Sequence, residues 1–345
     1  MKKVGICGHF GGGKTFLDGQ TVKTKILTAE LRKELGGSEV LTVDTYGGAK
    51  KTLAHLWNLG RLMAQCENIV ILPAHNAVRV FAPWLTLLHR LYHRKLHYVV
   101  IGGWLPSLLT EKTRLAEQLK KFDGIYVETT GMMDKLRAMG FANVFLMKNC
   151  KDLKVLDESQ LRMDFSEPYP VCTFSRVNQE KGIEDAVSAI ERVNQALGRT
   201  AYQLDIYGQV EGSYQEKFEQ LQNTFPEYIR YKGLVPFDRT TDVLKDYYAL
   251  LFPTHYYTEG IPGTFIDAYA AGVPCISAKW ENWKDVVRDG DTGLVFDFED
   301  YAQMERILQD CANQPEKLVK MRQSCLHEAK KYLPSRELKA LIQKL

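Results

Sequence analysis

Short runs dominated by apolar residues recur along the chain, at 2–7, 40–43, 69–72, 98–101, 125–127 and 144–147, then at 170–174, 204–207, 229–231, 249–252, 275–277 and 294–296; Lys2, Lys3, Asp205 and Arg230 interrupt three of them. Strands that are apolar along their whole length are buried on both faces, which is the pattern of a parallel sheet covered by helices. The intervening stretches carry helical spacing. Ile26, Leu27, Leu31 and Leu35 form one stripe and Ile183, Ala186, Val187, Ile190 and Val193 another. The chain from Tyr301 onward is amphipathic in the same way.

The series is interrupted once, by a polar stretch from Lys148-Asn149 to Pro168. A chain of 345 residues is too long for one ordinary core. We therefore expect two doubly wound α/β domains, residues 1–165 with a linker beginning near 150, and residues 166–345. Residues 334–345 either complete the second domain or cross back to the first.

Composition places the chain among ordinary soluble proteins, 45% hydrophobic and 25% charged. No basic-then-apolar leader and no apolar run long enough for a spanning helix are seen, so the expected location is the cytoplasm, at most against the inner face of the membrane. Seven scattered cysteines without a CxxC pair read as buried thiols. The net charge is +3 but unevenly spread: residues 1–165 hold 24 Lys and Arg against 15 Asp and Glu, and the remainder is net negative. The basic half should face something anionic.

The segment 82–97, APWLTLLHRLYHRKLH, mixes Trp84, Leu87, Leu88 and Leu91 with Arg90, Arg94 and Lys95. It reads as a helix packed on the sheet with a solvated basic edge, the commoner arrangement, or as one lying on an anionic bilayer. His89, His93 and His97 have helical spacing, but no carboxylate joins them and His97 belongs to the next strand, so we assign no metal there.

The chemistry concentrates in Thr258–Pro274, TEGIPGTFIDAYAAGVP. An apolar strand ends at Pro253, and a loop carrying Glu259 runs into a helix opened by Pro262 and Gly263 and closed by Gly272 and Pro274. Free amides from Gly260 through Ile261, Pro262 and Gly263 to Thr264 make a site for a phosphate, apart from the proline. Asp267 follows one turn, about 6 Å, along the helix, where a carboxylate can accept from a vicinal diol. Arg176 and Lys181, on the loop Ser175–Gly182, offer a two-pronged donor and a point charge for a pyrophosphate. Each of these is also an ordinary surface group when taken singly.

The spacing Glu259, seven residues, Asp267, with Gly260, Gly263, Ala268, Ala271, Gly272 and Pro274, resembles the acidic motif of the retaining glycosyltransferases of family 4, polysaccharide-assembly type. The usual second acid there is Glu; here it is Asp267. The resemblance runs over nearly the whole chain and is strongest from Arg176 to Gly293. It implies the GT-B fold: two facing Rossmann-like domains with a cleft between them, the first binding the acceptor and the second the nucleotide sugar. It implies transfer of a sugar from a nucleoside diphosphate sugar, a UDP-sugar by frequency, to a saccharide or lipid-linked acceptor, with retention. Arg176 and Lys181 match the family's phosphate site, Glu259 would position the sugar, and Tyr207-Gly208 matches a glycine turn near the base. Neither cofactor nor metal is implied, and no nucleic-acid partner. Asp289-Gly290-Asp291 accordingly reads as a turn.

Gly8 to Thr15, GHFGGGKT, spells the phosphate-loop pattern directly after a strand. A phosphate loop needs its helix at the Lys-Thr step, whereas the helical pattern begins only near Thr21. The stretch from Gly19 and Gln20 to Lys25 resembles instead the first loop and helix of family 4 enzymes, where a loop such as Gly11-Gly12-Gly13 closes over sugar and acceptor. Gly102 and Gly103 stand at a strand end where many relatives place a sugar-contacting histidine, and His75 is the substitute candidate. Two alternatives stay open: a phosphate-loop NTPase or kinase using Lys14, and a non-catalytic sugar-nucleotide-binding partner of a transferase.

Overall fold

All the predicted strands are present, with small shifts at their ends. They are β1 (Lys2–Gly8), β2 (Val40–Asp44), β3 (Cys66–Ile71), β4 (Lys95–Val99), β5 (Gly124–Val127), β6 (Val144–Leu146), β7 (Tyr169–Phe174), β8 (Tyr202–Tyr207), β9 (Ile229–Gly233), β10 (Ala249–Phe252), β11 (Cys275–Ala278) and β12 (Gly293–Phe296). The structure, a computed structural model, describes residues 1–14 and 19–345. The strands form two parallel six-stranded sheets, ordered β2-β1-β3-β4-β5-β6 and β12-β11-β10-β7-β8-β9.

The chain divides into two compact units, residues 1–152 with 332–345, and residues 153–331. The division falls within the stretch read as linker, close to its start near 150. Residues 153–165 look like linker because they are polar, yet they pack on the second unit. The Leu156 amide donates to the Ala270 carbonyl at 2.8 Å, Thr241 Oγ1 donates to the Lys154 carbonyl at 3.0 Å, and Arg162 lies over the Phe165 ring.

The last residues return to the first unit. Leu338 and Leu341 are buried with Val4, Ile6 and Leu31, Glu337 accepts from the Lys148 amide at 2.8 Å, and Lys95 Nζ reaches the Lys344 carbonyl. The basic amphipathic segment also differs from expectation. Its helix is His75–Tyr92, with Pro83 inside it, because the buried stripe Val78, Phe81, Ala82 and Leu85 runs straight through the proline. His97 lies on β4, as read from the sequence. All seven cysteines are buried and free.

His97 is fully buried, with Nδ1 3.1 Å from the Tyr126 hydroxyl and Nε2 without a partner. Burial lowers its pKa from 6.5 to about 4, the charge of Asp123 opposing. Between these values the unfolded chain binds a proton that the folded chain refuses. Stability therefore falls as pH drops through this window, by about 3 kcal/mol at its lower end. Thermal unfolding of wild type and His97→Asn across that range checks this: the gap between the two should narrow as the pH is lowered.

Candidate functional site

In the second unit the chain runs outward from β7 through β8 to β9. It then returns to the other flank of β7 as β10 and continues to β11 and β12. β7 and β10 are therefore adjacent strands whose connections leave in opposite directions, and the crevice outside their carboxyl ends is where open α/β sheets bind ligands. The two loops predicted to carry chemistry, 175–182 and 253–262, leave these two ends.

Both loops are held by backbone contacts that demand glycine. A Cβ on Gly208 would lie 1.7 Å from the Ser175 carbonyl oxygen, and one on Gly182 would lie 1.9 Å from that of Pro253. Gly208 and Gly182 have φ of 134° and 65°, so each is favoured by conformation as well as space. Asn178 caps the short turn Gln179–Lys181 by accepting from the Lys181 amide at 3.1 Å, and it donates to Glu211 at 2.8 Å. Donation from Asn178 and then Ser213 holds the Glu211 carboxyl below its usual range, a slight burial effect opposing and the Arg176 charge adding to it.

Lys181 Nζ forms an ion pair with Glu259 Oε1, each side chain only 11% exposed. Lys181 also sits over the Phe252 ring, 5.5 Å from its centroid. The sequence reading assigned these two residues to different parts of a ligand; the structure joins them across the crevice. Glu259 is fixed from behind by Asn282, whose Nδ2 donates to the Glu259 carbonyl at 2.9 Å. Thr254 Oγ1 lies 3.5 Å from the same carboxylate and donates to the Glu180 carbonyl. Arg176, by contrast, is exposed and makes no ion pair among the described residues.

The helix Gly263–Ala270 starts with Pro262 as its N-cap, which offers no side-chain acceptor. Gly260 and Ile261 thus precede the helix, and its open first-turn amides are those of Gly263 and Thr264, since Phe265 N donates to the Pro262 carbonyl. Thr264 Oγ1 is buried with no partner. Asp267 is one turn further and only 3% exposed, and the Thr240 hydroxyl approaches it at 3.4 Å. Asp289 and Asp291 serve the turn before β12: Asp289 accepts from Val295 N, and Asp291 pairs with Arg288 at 2.9 Å.

The first unit has its own reversal between β1 and β3. The glycine loop leaves β1, and His75 opens the helix after β3, its ring 5.0 Å from that of Trp104 and edge-on, with Arg79 and Asn76 in contact. Gly103 lies beside Trp104 in the loop after β4, and Gln20 Nε2 donates to the Leu72 carbonyl at 3.0 Å.

Asp44, at the end of β2, takes the amides of the glycine loop. Its carboxylate accepts from Phe10 N at 2.9 Å, Gly12 N at 2.7 Å and Tyr46 N at 2.9 Å. Partial burial raises its pKa, but these three donors and His9 outweigh that and hold it below the usual carboxylate range. A phosphate loop keeps such amides open for its ligand; here a carboxylate of the chain already fills the place. Thr15 and the three residues after it lie outside the described residues; the described helix that follows is Gly19–Leu35. Gly11 and Gly13 flank the bonded Gly12 in the same loop.

Sequence reasoning missed Asn282, Thr254 and Asp44. Asn178, three residues before Lys181, carried a capping signal that could have been read.

Residues 169–313 match the family model for glycosyl transferases group 1. Among solved structures, Anabaena HepE in complex with UDP-glucose aligns over 99% of this chain and 99% of its own, with a TM-score of 0.75 at 13% identity. The lipopolysaccharide outer core galactosyltransferase WaaB aligns over 100% of both chains, with a TM-score of 0.70 at 14% identity. TarM of S. aureus, in complex with Fondaparinux, alpha-GlcNAc-glycerol and UDP, gives 0.67 at 15% identity over 84% of this chain and 57% of its own. No curated protein sequence matches the chain. What is shared at these identities is the fold, and it is the GT-B fold.

Proposed function

We propose that the chain transfers a sugar from a nucleoside diphosphate sugar, a UDP-sugar in first place, to a hydroxyl of a saccharide or lipid-linked acceptor, with retention at the anomeric carbon and without a metal. The observation that carries this is the Lys181–Glu259 pair, set beside an uncapped helix start at the strand reversal of the second unit. A cation, two open amides and an unpartnered hydroxyl suit a diphosphate, and a carboxylate beside them suits sugar hydroxyls.

In this reading the amides of Gly263 and Thr264, Lys181 and Arg176 receive the charge that develops on the leaving diphosphate. Glu259 accepts from donor-sugar hydroxyls. Asp267 takes the ribose diol, the narrowest contact of the set because so little of the residue is open. The bond from the anomeric carbon to the acceptor oxygen forms on the face from which the phosphate oxygen departs, and the acceptor's proton leaves with that phosphate oxygen. The match to glycosyl transferases group 1 and the UDP-binding structural neighbours support the donor class. The family resemblance of the acidic motif supports retention and a metal-free site.

Thermal unfolding with UDP, GDP, ADP and ATP, with and without magnesium, tests the donor class. A diphosphate at 100 times its dissociation constant should stabilise by roughly 2.7 kcal/mol, and magnesium should not be needed. A shift with ATP and magnesium alone would overturn the reading. Glycosyl transfer by the purified chain then separates an enzyme from a non-catalytic partner.

A further inference from the structure

Five large apolar side chains on two helices of the first unit stand in solvent: Leu53 (84% exposed), Trp57 (74%), Val80 (40%), Leu87 (55%) and Leu91 (72%). Leu53 and Trp57 are one turn apart on the helix Thr52–Gln65, and Val80, Leu87 and Leu91 share one face of His75–Tyr92. The two helices lie side by side. Trp84 Nε1 donates to the Leu56 carbonyl at 3.0 Å, and a Cβ on Gly60 would stand 4.0 Å from a Leu88 methyl. The exposed residues of each helix therefore belong to neighbouring stripes above one sheet face. A patch of this kind on a folded unit marks an interaction surface.

The charge around it is of one sign. Between residues 45 and 110 there are seven Lys and Arg (Lys50, Lys51, Arg61, Arg79, Arg90, Arg94 and Lys95) against one acid, Glu67, which pairs with Lys3 at 3.4 Å. Lys50, Lys51, Arg61, Arg79 and Arg90 are exposed. A pocket of about 470 Å³ on the helix His75–Tyr92 is lined by Arg79, Pro83, Lys112 and Arg114, with Glu111 as its one carboxylate. Apolar side chains rimmed by cations match a surface that is apolar below and anionic above, which is an anionic phospholipid bilayer. A second copy of this chain would set the same cations against each other, with no acid on either helix to relieve them.

We infer that this face docks the first unit on an anionic bilayer, with Leu53, Trp57, Leu87 and Leu91 entering the headgroup boundary and the surrounding Lys and Arg taking lipid phosphates. The inference stands apart from the sugar-transfer reading, because docking is measured without donor or acceptor.

Flotation of the purified chain with vesicles of phosphatidylcholine, and of phosphatidylcholine with phosphatidylglycerol, provides the test. The chain should float with the anionic vesicles and release in high salt. Leu87→Ser with Leu91→Ser should weaken this at least tenfold, and Arg61→Gln with Arg90→Gln about tenfold or more. Both variants change exposed positions, so unchanged thermal unfolding and an unchanged response to UDP show that the fold and the donor site are intact. No flotation, equal flotation with neutral vesicles, or full flotation of the leucine variant would overturn the inference. So would a concentration-dependent dimer, dispersed by the leucine changes, in a chain that binds no vesicle.

Discussion

Arg176→Ala lowers turnover by about 10²–10³ while leaving the unfolding temperature unchanged. Arg176 is exposed and makes no ion pair among the described residues, and its charge is the last of the influences on Glu211, so its loss should cost the folded unit little. Lys181→Met should lose as much turnover, but with a different signature, because it also strips the cation from the Glu259 carboxylate in a site only 11% exposed. Removing one partner of a buried pair costs about 3–5 kcal/mol. The double variant Lys181→Met with Glu259→Gln separates the two effects: stability returns because no charge is left unpaired, and turnover does not. Glycosyl-transfer kinetics with a saturating donor, beside thermal unfolding, read both quantities. Full activity in Arg176→Ala would remove the leaving-group assignment, and activity restored in the double variant would make the pair structural only.

The fold was legible because most of its strands hold a continuous apolar stretch, and a strand such as 249–252 is stable inside a covered parallel sheet. The helix at Gly263 was legible from Pro262 and Gly263 at its start and Gly272 at its end. Pairings between distant segments were not. Nothing in Glu259 or Lys181 states that they meet, because their contact depends on β10 returning beside β7, a choice of strand order. Asp44 was missed for a similar reason. It is an ordinary acid at a strand end until the register Gly8↔Asp44 sets it against the glycine loop. Residues 153–165, read as linker from their polarity, are anchored through Leu156 and Leu161 against Ala270 and Gly272, contacts that the composition of the segment does not state.

Lys23→Met destabilises the first unit by about 3–5 kcal/mol, a large part of what holds an ordinary domain together. Lys23 Nζ lies 2.5 Å from Glu128 Oε1, with both side chains at most 5% exposed, and 3.4 Å from the Val100 carbonyl. The lysine therefore bolts the first helix to the residues that follow β4 and β5. The burden on it is greater than one acid. Cys150, its thiol pushed up to about 12 mainly by burial, senses Lys23 on one side and Glu337, Glu128 and Glu30 on the other. A drop of about 10 °C in unfolding temperature is expected, since 1 kcal/mol shifts a unit of this size by roughly 2–4 °C. Replacing both members, Lys23→Met with Glu128→Met, should recover most of the loss, because burying the ions costs nearly what their attraction returns. The double variant is then the informative protein. Wild-type transfer in it would make the pair a device of stability. Recovered stability with lost transfer would mean that the pair sets the position of the helix Gly19–Leu35, and with it Gln20 at the reversal of the first sheet.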